Sequence, residues 1–306
     1  MTSPPEQGAE HGLLWVFFGE DGLRPGWGVL LFVALFYIFR EMFLVAVSFV
    51  SPGALSASPM SPVTAFVFEC VSVVLVLAAT WIMARIEGRR VAVYGYQGRA
   101  RLVRFLYGCL WGFIALSGLV FVLSKSHLLA FDAGHLHGLV AWKYGLIWLL
   151  SFVLTGIFEE SLLRGYLQYT LTRGIGFWWG ALLMSILFGA IHGPNKGESP
   201  IGLFSAGAVG LVFCISLWYT GSLWWAIGFH AVWDWGQTFF YGTPDSGMVA
   251  RGHLLSEHPV GPLLWSGGPT GPEGSLYIVP LLLIMALAMW LWWRRKGVTA
   301  PYSQDA

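Results

Sequence analysis

The sequence is poor in charge. Only 11% of its 306 residues are Asp, Glu, Lys or Arg, against roughly 25% in a soluble domain, while 56% are hydrophobic. That shortage excludes a water-soluble globule, which would need far more polar side chains to cover its outside. A net charge of +1 gives no footprint for nucleic acid or a strongly acidic partner. Cysteine is scarce too. Cys70, Cys109 and Cys214 each sit in an apolar run with no paired spacing and no neighbouring histidine, so they read as helix-packing residues that say nothing about redox compartment. The opening M-T-S-P-P-E-Q-G-A-E-H-G has no Lys or Arg, so a secretory signal with a basic start is absent and the first apolar span must do the targeting. Internal repeats, low-complexity blocks and an H-E-x-x-H motif are also missing.

What the sequence does have is long apolar runs. A span needs about 20 apolar residues, and eight segments qualify: 27–50, 63–84, 104–124, 139–165, 175–192, 201–219, 222–241 and 275–293. Connections such as G-P-N-K-G-E-S-P (193–200) and the Gly- and Pro-rich 242–274 separate them. The expected fold is all-α, a polytopic membrane protein of about eight transmembrane helices around a cytoplasm-facing polar cavity. Residues 1–26 form an N-terminal cytoplasmic segment, 27–293 one transmembrane domain, and 294–306 a C-terminal cytoplasmic tail. On alternate sides of this arrangement, one side collects Arg24, Arg85, Arg89, Arg90, Arg99, Arg101, Arg104, Arg164, Arg173, Arg294, Arg295 and Lys296, and the other Lys125, Lys143, Lys196 and Arg251. The positive-inside rule then places both termini in the cytoplasm. The expected location is multi-pass in a bacterial plasma membrane, with the bilayer as a partner. Tryptophans near span ends, such as Trp142, Trp178, Trp224 and Trp292, fit interfacial anchoring.

A few ionisable residues fall inside spans: Arg40, Glu41, Glu69, Glu159, Glu160, Arg164, His192, His230 and Asp234. Each charge at mid-bilayer costs on the order of 2.5–3.5 kcal/mol by insertion scales, so something must offset it. Arg40 and Glu69 are equidistant from the 51–62 turn and are expected to pair across that hairpin; lining a polar cavity is the other reading. Glu159 and His192 are likewise centred on the R-G-I-G turn at 173–176 and lie about 25 Å from it at the helical rise. That depth requires the hairpin to protrude, and an unbroken fourth helix from Tyr144 to Thr172 would be long enough. His230 lies about 13 Å from the turn at 219–222, so Glu159, His192 and His230 are expected to converge.

Spacing gives the two carboxylates different work. Arg164 is four residues after Glu160, so it neutralises Glu160 and leaves Glu159 turned elsewhere. An uncompensated glutamate suits a general base that takes a proton from water. His192 could orient that water or protonate a leaving amine, and His230 could donate to the oxyanion of a tetrahedral intermediate. Asp234, one turn on, can hold the His230 ring. Gly156, Gly165, Gly189, Gly193 and Gly228 would allow close helix approach. A buried polar lock without chemistry is the structural alternative.

These residues resemble the CPBP (CAAX protease and bacteriocin-processing, or Abi) membrane endopeptidases, which include the type II CAAX prenyl proteases. E-E-S-L-L-R carries Glu159, Glu160 and Arg164; F-G-A-I-H carries Phe188 and His192; H-A-V-W-D carries His230 and Asp234. The resemblance covers about residues 140–241. It implies a membrane endopeptidase cutting a membrane-associated peptide or protein, with catalytic Glu159, His192, His230 and Asp234 and supporting Glu160, Arg164 and Phe188. Many members have Asn where this chain has Asp234; an ionised carboxylate would repel an oxyanion, so Asp234 must be protonated or act by orienting His230. The implied cofactor is none obligatory, with zinc on Glu159, His192 and His230 as the alternative. A non-proteolytic immunity or scaffold protein on the same fold is the second function reading, and a proton-relaying transporter the third. The arginines at 85–104 are read as a topology determinant.

Overall fold

The computed structural model describes residues 14–20, 22–50, 61–98, 100–132, 134 and 136–294. Residues 1–13 and 295–306, most of the 51–62 turn, and Arg99 lie outside the described residues, as do the expectations that rest on them.

The apolar runs form eight helical segments. These are α1 (Pro25–Val50), α2 (Pro62–Ile86), α3 (Arg101–Lys125), α4 (Gly138–Ile175), α5 (Phe177–Ile191), α6 (Pro200–Thr220), α7 (Trp224–Trp235, continued by a π-helical stretch Gly236–Tyr241) and α8 (Ile278–Arg294). Among the described residues α1, α2, α3, α4 and α6 are long and apolar enough to cross a bilayer, and α5 and α8 are shorter apolar helices. The chain is thus an all-α polytopic membrane protein. Strand structure is confined to short pairs such as Leu129–Asp132 with Ser256–Pro259.

Local chemistry sets the ends. Ser61 and Ser199 cap α2 and α6 by accepting from the backbone N–H of Thr64 and Gly202, each with a proline in the first turn, where the missing N–H costs nothing. Gly176, at φ +85°, lets the chain reverse between α4 and α5.

Helix α4 departs from the expectation of an unbroken α-helix. Directly after Glu160 it loosens into a π-helical stretch, Ser161–Leu167, with Gly165 at ψ −112°. A glycine at a π-bulge is an ordinary cause of a kink, and such bulges cluster at functional sites.

The tightest packing is between α3 and α7. A Cβ on Gly108 would lie 2.0 Å from the Trp225 carbonyl oxygen, one on Gly112 2.5 Å from that of Phe229, and one on Gly228 2.1 Å from that of Phe105. Backbone meets backbone, the contact small residues allow in a membrane bundle. Gly156 and Gly189 make similar approaches to Ile227 and Leu203, whereas Gly165 sits at ordinary distance from its neighbours and Gly193 faces only the carbonyl of Ala190 in its own turn.

Two apolar clusters result. One joins Leu116, Leu123, Phe213, Phe229 and Met285. The other joins Phe32, Met83, Tyr94, Tyr166 and Phe188. The polar site lies between them.

One end of the bundle is closed. Pro25 packs against Gly174, Arg173 lies 3.6 Å from Glu87, Arg104 donates to the Thr220 carbonyl at 3.1 Å, and Tyr219 stacks on Trp293 at 5.4 Å. These contacts put the start of α1, the ends of α2, α4 and α8, and the α6–α7 turn at one level. The segment after α2 covers them, anchored by the Leu223 N–H donating to Gly95. The opposite end carries the strand pair, 193–200 and 242–274.

Candidate active site

Glu160 and Arg164 are both fully buried, with Arg164 Nη1 3.0 Å from Glu160 Oε1. The i,i+4 pair read from spacing is there, but it does more than neutralise. The same Glu160 oxygen lies 3.2 Å from His230 Nδ1, so a buried arginine holds the carboxylate that in turn holds the histidine. Gly210 makes room for the guanidinium: a Cβ there would fall 2.4 Å from Arg164 Nη2. Phe188 covers its face, with the guanidinium carbon 4.3 Å from the ring centroid, a cation–π contact strengthened by burial.

His230 Nε2 points the other way, 3.3 Å from Asp234 Oδ2 and 3.6 Å from Glu159 Oε2. Three carboxylates from two helices therefore bracket one imidazole, and both ring nitrogens face oxygens to which an N–H can donate. Phe213 stacks on the ring at 5.9 Å and Phe188 meets it edge-on at 5.9 Å.

His192 caps α5. Its Nδ1 lies 2.7 Å from the Phe188 carbonyl oxygen. A carbonyl only accepts, so Nδ1 carries the hydrogen and Nε2 of the neutral ring keeps the lone pair. Phe188 thus serves three neighbours: its backbone fixes the His192 tautomer, and its ring separates Arg164 from both histidines, 4.9 Å from His192 at a right angle.

Glu159, His192, His230 and Asp234 all line one cavity of about 320 Å³, with Phe188, Phe213 and Trp233 as its apolar wall. The convergence expected of α4, α5 and α7 is present, and other elements join it. Glu69 of α2 lines the same cavity, and Arg40 pairs instead with its exposed neighbour Glu41 at 2.5 Å. The expected Arg40–Glu69 pair is therefore replaced by its alternative, because sequence distance from a turn fixes depth but not which way a side chain faces.

Residues missed entirely come from the 242–274 segment. Glu273 Oε1 accepts from the Ser246 N–H at 2.6 Å and hydroxyl at 2.9 Å, and Glu273 Oε2 accepts from Trp233 and Gln237 on α7 at 3.3 Å each. Asp245 accepts from Gln237 and Thr238 at 3.3 and 3.2 Å, and Asn195 ties α5's end to the Ser246 carbonyl at 2.8 Å. Burial, with Asp234 and Glu273 nearby, pushes the Asp245 carboxyl well above its usual range. Burial raises Glu273 as well, opposed by the Ser246 hydrogen bonds.

The cavity does not share its face with the arginines, and here the expectation is corrected. Its outer wall is Asn195, Asp245, Ser246, Met248, Val249 and Ala250, and no residue of 85–104, 166–176 or 219–225 lines it. Hairpin arithmetic gave the depth of the site correctly but supposed it opened past the α4–α5 turn. That end is closed by the segment after α2 and by the buried Glu160–Arg164 pair, so the site opens toward 193–200 and 242–274.

A metal set is not formed by these side chains: among the described residues no three His, Cys, Asp or Glu groups are placed to hold a metal ion. Glu159, His192 and His230 do not fit the tetrahedral zinc alternative, since both His230 nitrogens are taken up by carboxylates.

Residues 141–236 match the family described as type II CAAX prenyl endopeptidase Rce1-like. The match contains every one of the seven motif residues, so the resemblance seen in the three motifs holds over this segment. Glu69, Asp245 and Glu273 lie outside it. No curated protein and no solved structure shows a significant match to the chain.

Proposed function

We propose that this membrane protein is an endopeptidase that hydrolyses a peptide bond of a membrane-associated peptide or protein by water activated between Glu159 and His192. The observation that carries the reading is the division of labour between adjacent glutamates. Glu160 is held by Arg164 and His230, while Glu159 faces the cavity without a cation of its own. A carboxylate so placed is free to take a proton.

In this mechanism Glu159 removes a proton from water as its oxygen attacks the scissile carbonyl. The basic Nε2 of His192 orients that water. His230 donates from Nε2 to the developing oxyanion, and Asp234, accepting from the same nitrogen in the resting site, positions the ring. Asp234 thus acts through His230 and does not face the oxyanion. Glu160 and Arg164 keep the ring from turning. The proton taken by Glu159 passes to the leaving amine, which closes the balance. No obligatory metal takes part.

The test is cleavage of a quenched fluorescent peptide library by purified protein in detergent or liposomes. Glu159→Gln and His192→Ala are expected to abolish cleavage while the protein still inserts and keeps its thermal transition. Activity retained in either variant overturns the reading, and so does wild-type activity lost on treatment with a chelator and restored by zinc, as far as its metal-free step is concerned.

A further inference from the structure

The two ends of the bundle differ in charge and in access, and together they fix the side from which a peptide reaches the site. The closed end carries Arg24, Arg85, Arg89, Arg90, Arg101, Arg104, Arg173 and Arg294 among the described residues, while the open end carries Lys125, Lys143, Lys196 and Arg251. That all eight belong to one end follows from the contacts there: Arg173 to Glu87, Arg89 to Glu87 and Tyr169, Arg104 to Thr220, and Trp293, next to Arg294, on Tyr219. The Lys and Arg bias of short loops sets membrane orientation.

The cavity meets solvent only through the other end. Met248 and Val249 in its wall are 48% and 64% exposed. Toward the arginines its floor is the Glu160–Arg164 pair, with neither side chain exposed, and beyond that Tyr94, fully buried in the cover after α2.

We infer that the active site is entered from the non-cytoplasmic side of the membrane, through a mouth formed by Asn195, Ser246, Met248 and Val249. The substrate class follows, and this part rests on the endopeptidase reading: a peptide segment presented at the outer surface, such as the extracytoplasmic juxtamembrane stretch of a membrane-anchored or exported polypeptide. A peptide arriving from the cytoplasm would meet the arginine-bearing cover.

The experiment places a cysteine at each end, Val249→Cys at the mouth and Arg90→Cys on the cover, in the full-length chain, with the wild-type chain as background. Sealed right-side-out membrane vesicles and inverted vesicles are each treated with a membrane-impermeant charged maleimide. Val249→Cys is expected to label in right-side-out vesicles as fully as after permeabilisation, and Arg90→Cys only in inverted ones. Met248→Cys repeats the mouth position should Val249→Cys fail to accumulate. The reverse pattern overturns the inference. A fluorogenic peptide sealed outside or inside wild-type vesicles separates the two claims: cleavage only from the outer side supports both, cleavage only from the cytoplasmic side overturns the entry side, and the expected labelling with cleavage from neither side overturns the endopeptidase reading and its substrate class while the orientation stands.

Discussion

At the closed end a single carboxylate, Glu87, is met by Arg89 at 3.3 Å, Arg173 at 3.6 Å and the hydroxyls of Tyr94 and Tyr166 at 3.4 and 2.5 Å, whereas the open cavity gathers Glu69, Glu159, Asp234, Asp245 and Glu273 with no Lys or Arg in its wall. The same residue types thus serve opposite ends. Where cations outnumber the acid, every oxygen is bound and the carboxylate becomes a fastener. Where acids outnumber cations, some oxygens stay uncommitted and are free to move protons. The Glu160–Arg164 pair is the boundary between the two regimes, with one of its partners in each.

The sharpest way to break the contrast is to remove the uncommitted acid. Glu159→Gln is expected to lower the cleavage rate by about 10²–10⁴-fold, the usual contribution of a positioned general base, with no loss of thermal stability. Next is the boundary itself. Arg164→Met leaves Glu160 buried and unpaired and is expected to destabilise the fold by about 3–5 kcal/mol, read as a lower thermal transition in detergent. Glu160→Gln with Arg164→Met, which removes both charges, should recover much of that loss. If the single and double variants melt alike, the pair is not the structural partition described.

A smaller effect is expected from Gly228→Ala. Its new methyl would press on the Phe105 carbonyl, and overpacking of this kind costs about 1–3 kcal/mol. Because His230 is carried by the same helix, activity should fall together with stability.

The smallest effect concerns pH at the open end. Glu257, in the strand pair there, is raised from 4.5 to about 8 by burial. Its protonated form is favoured in the fold, so its contribution is fully present below the unfolded value and is lost as pH rises through about 8. Amide exchange of Leu129–Asp132 and Ser256–Pro259 should therefore speed up more than its intrinsic pH dependence above that point, and Glu257→Gln should remove the excess.

What was legible in the sequence is what regular helices determine. Glu160 with Arg164 and His230 with Asp234 are one turn apart, so spacing alone pairs them. Glu159 and His192 are equidistant from Gly176, so a hairpin brings them level. The rest depends on facing and on folding over longer distances. Glu69 needed the rotation of α2, which its nearly uniform apolar sequence does not encode. Asp245 and Glu273 reach the site because a Gly- and Pro-rich connection folds back onto α7, and no period in the sequence reports that. The open end was misplaced because a turn's distance from a residue says nothing about which surface another segment covers.

The π-helical stretch Ser161–Leu167 makes the two halves of α4 depend on a residue count. Upstream stand Glu159 and Glu160; downstream stand Tyr166 and Arg173, which reach Glu87. Deleting one residue within the stretch would wind it back toward an α-helix and turn everything after it by about 100°, carrying Tyr166 and Arg173 off Glu87 while the motif upstream read unchanged. A homologue lacking that residue would keep its chemistry in the alignment and lose the fastening of its closed end, so chain length between Glu160 and Gln168 is as diagnostic of this architecture as the motif itself.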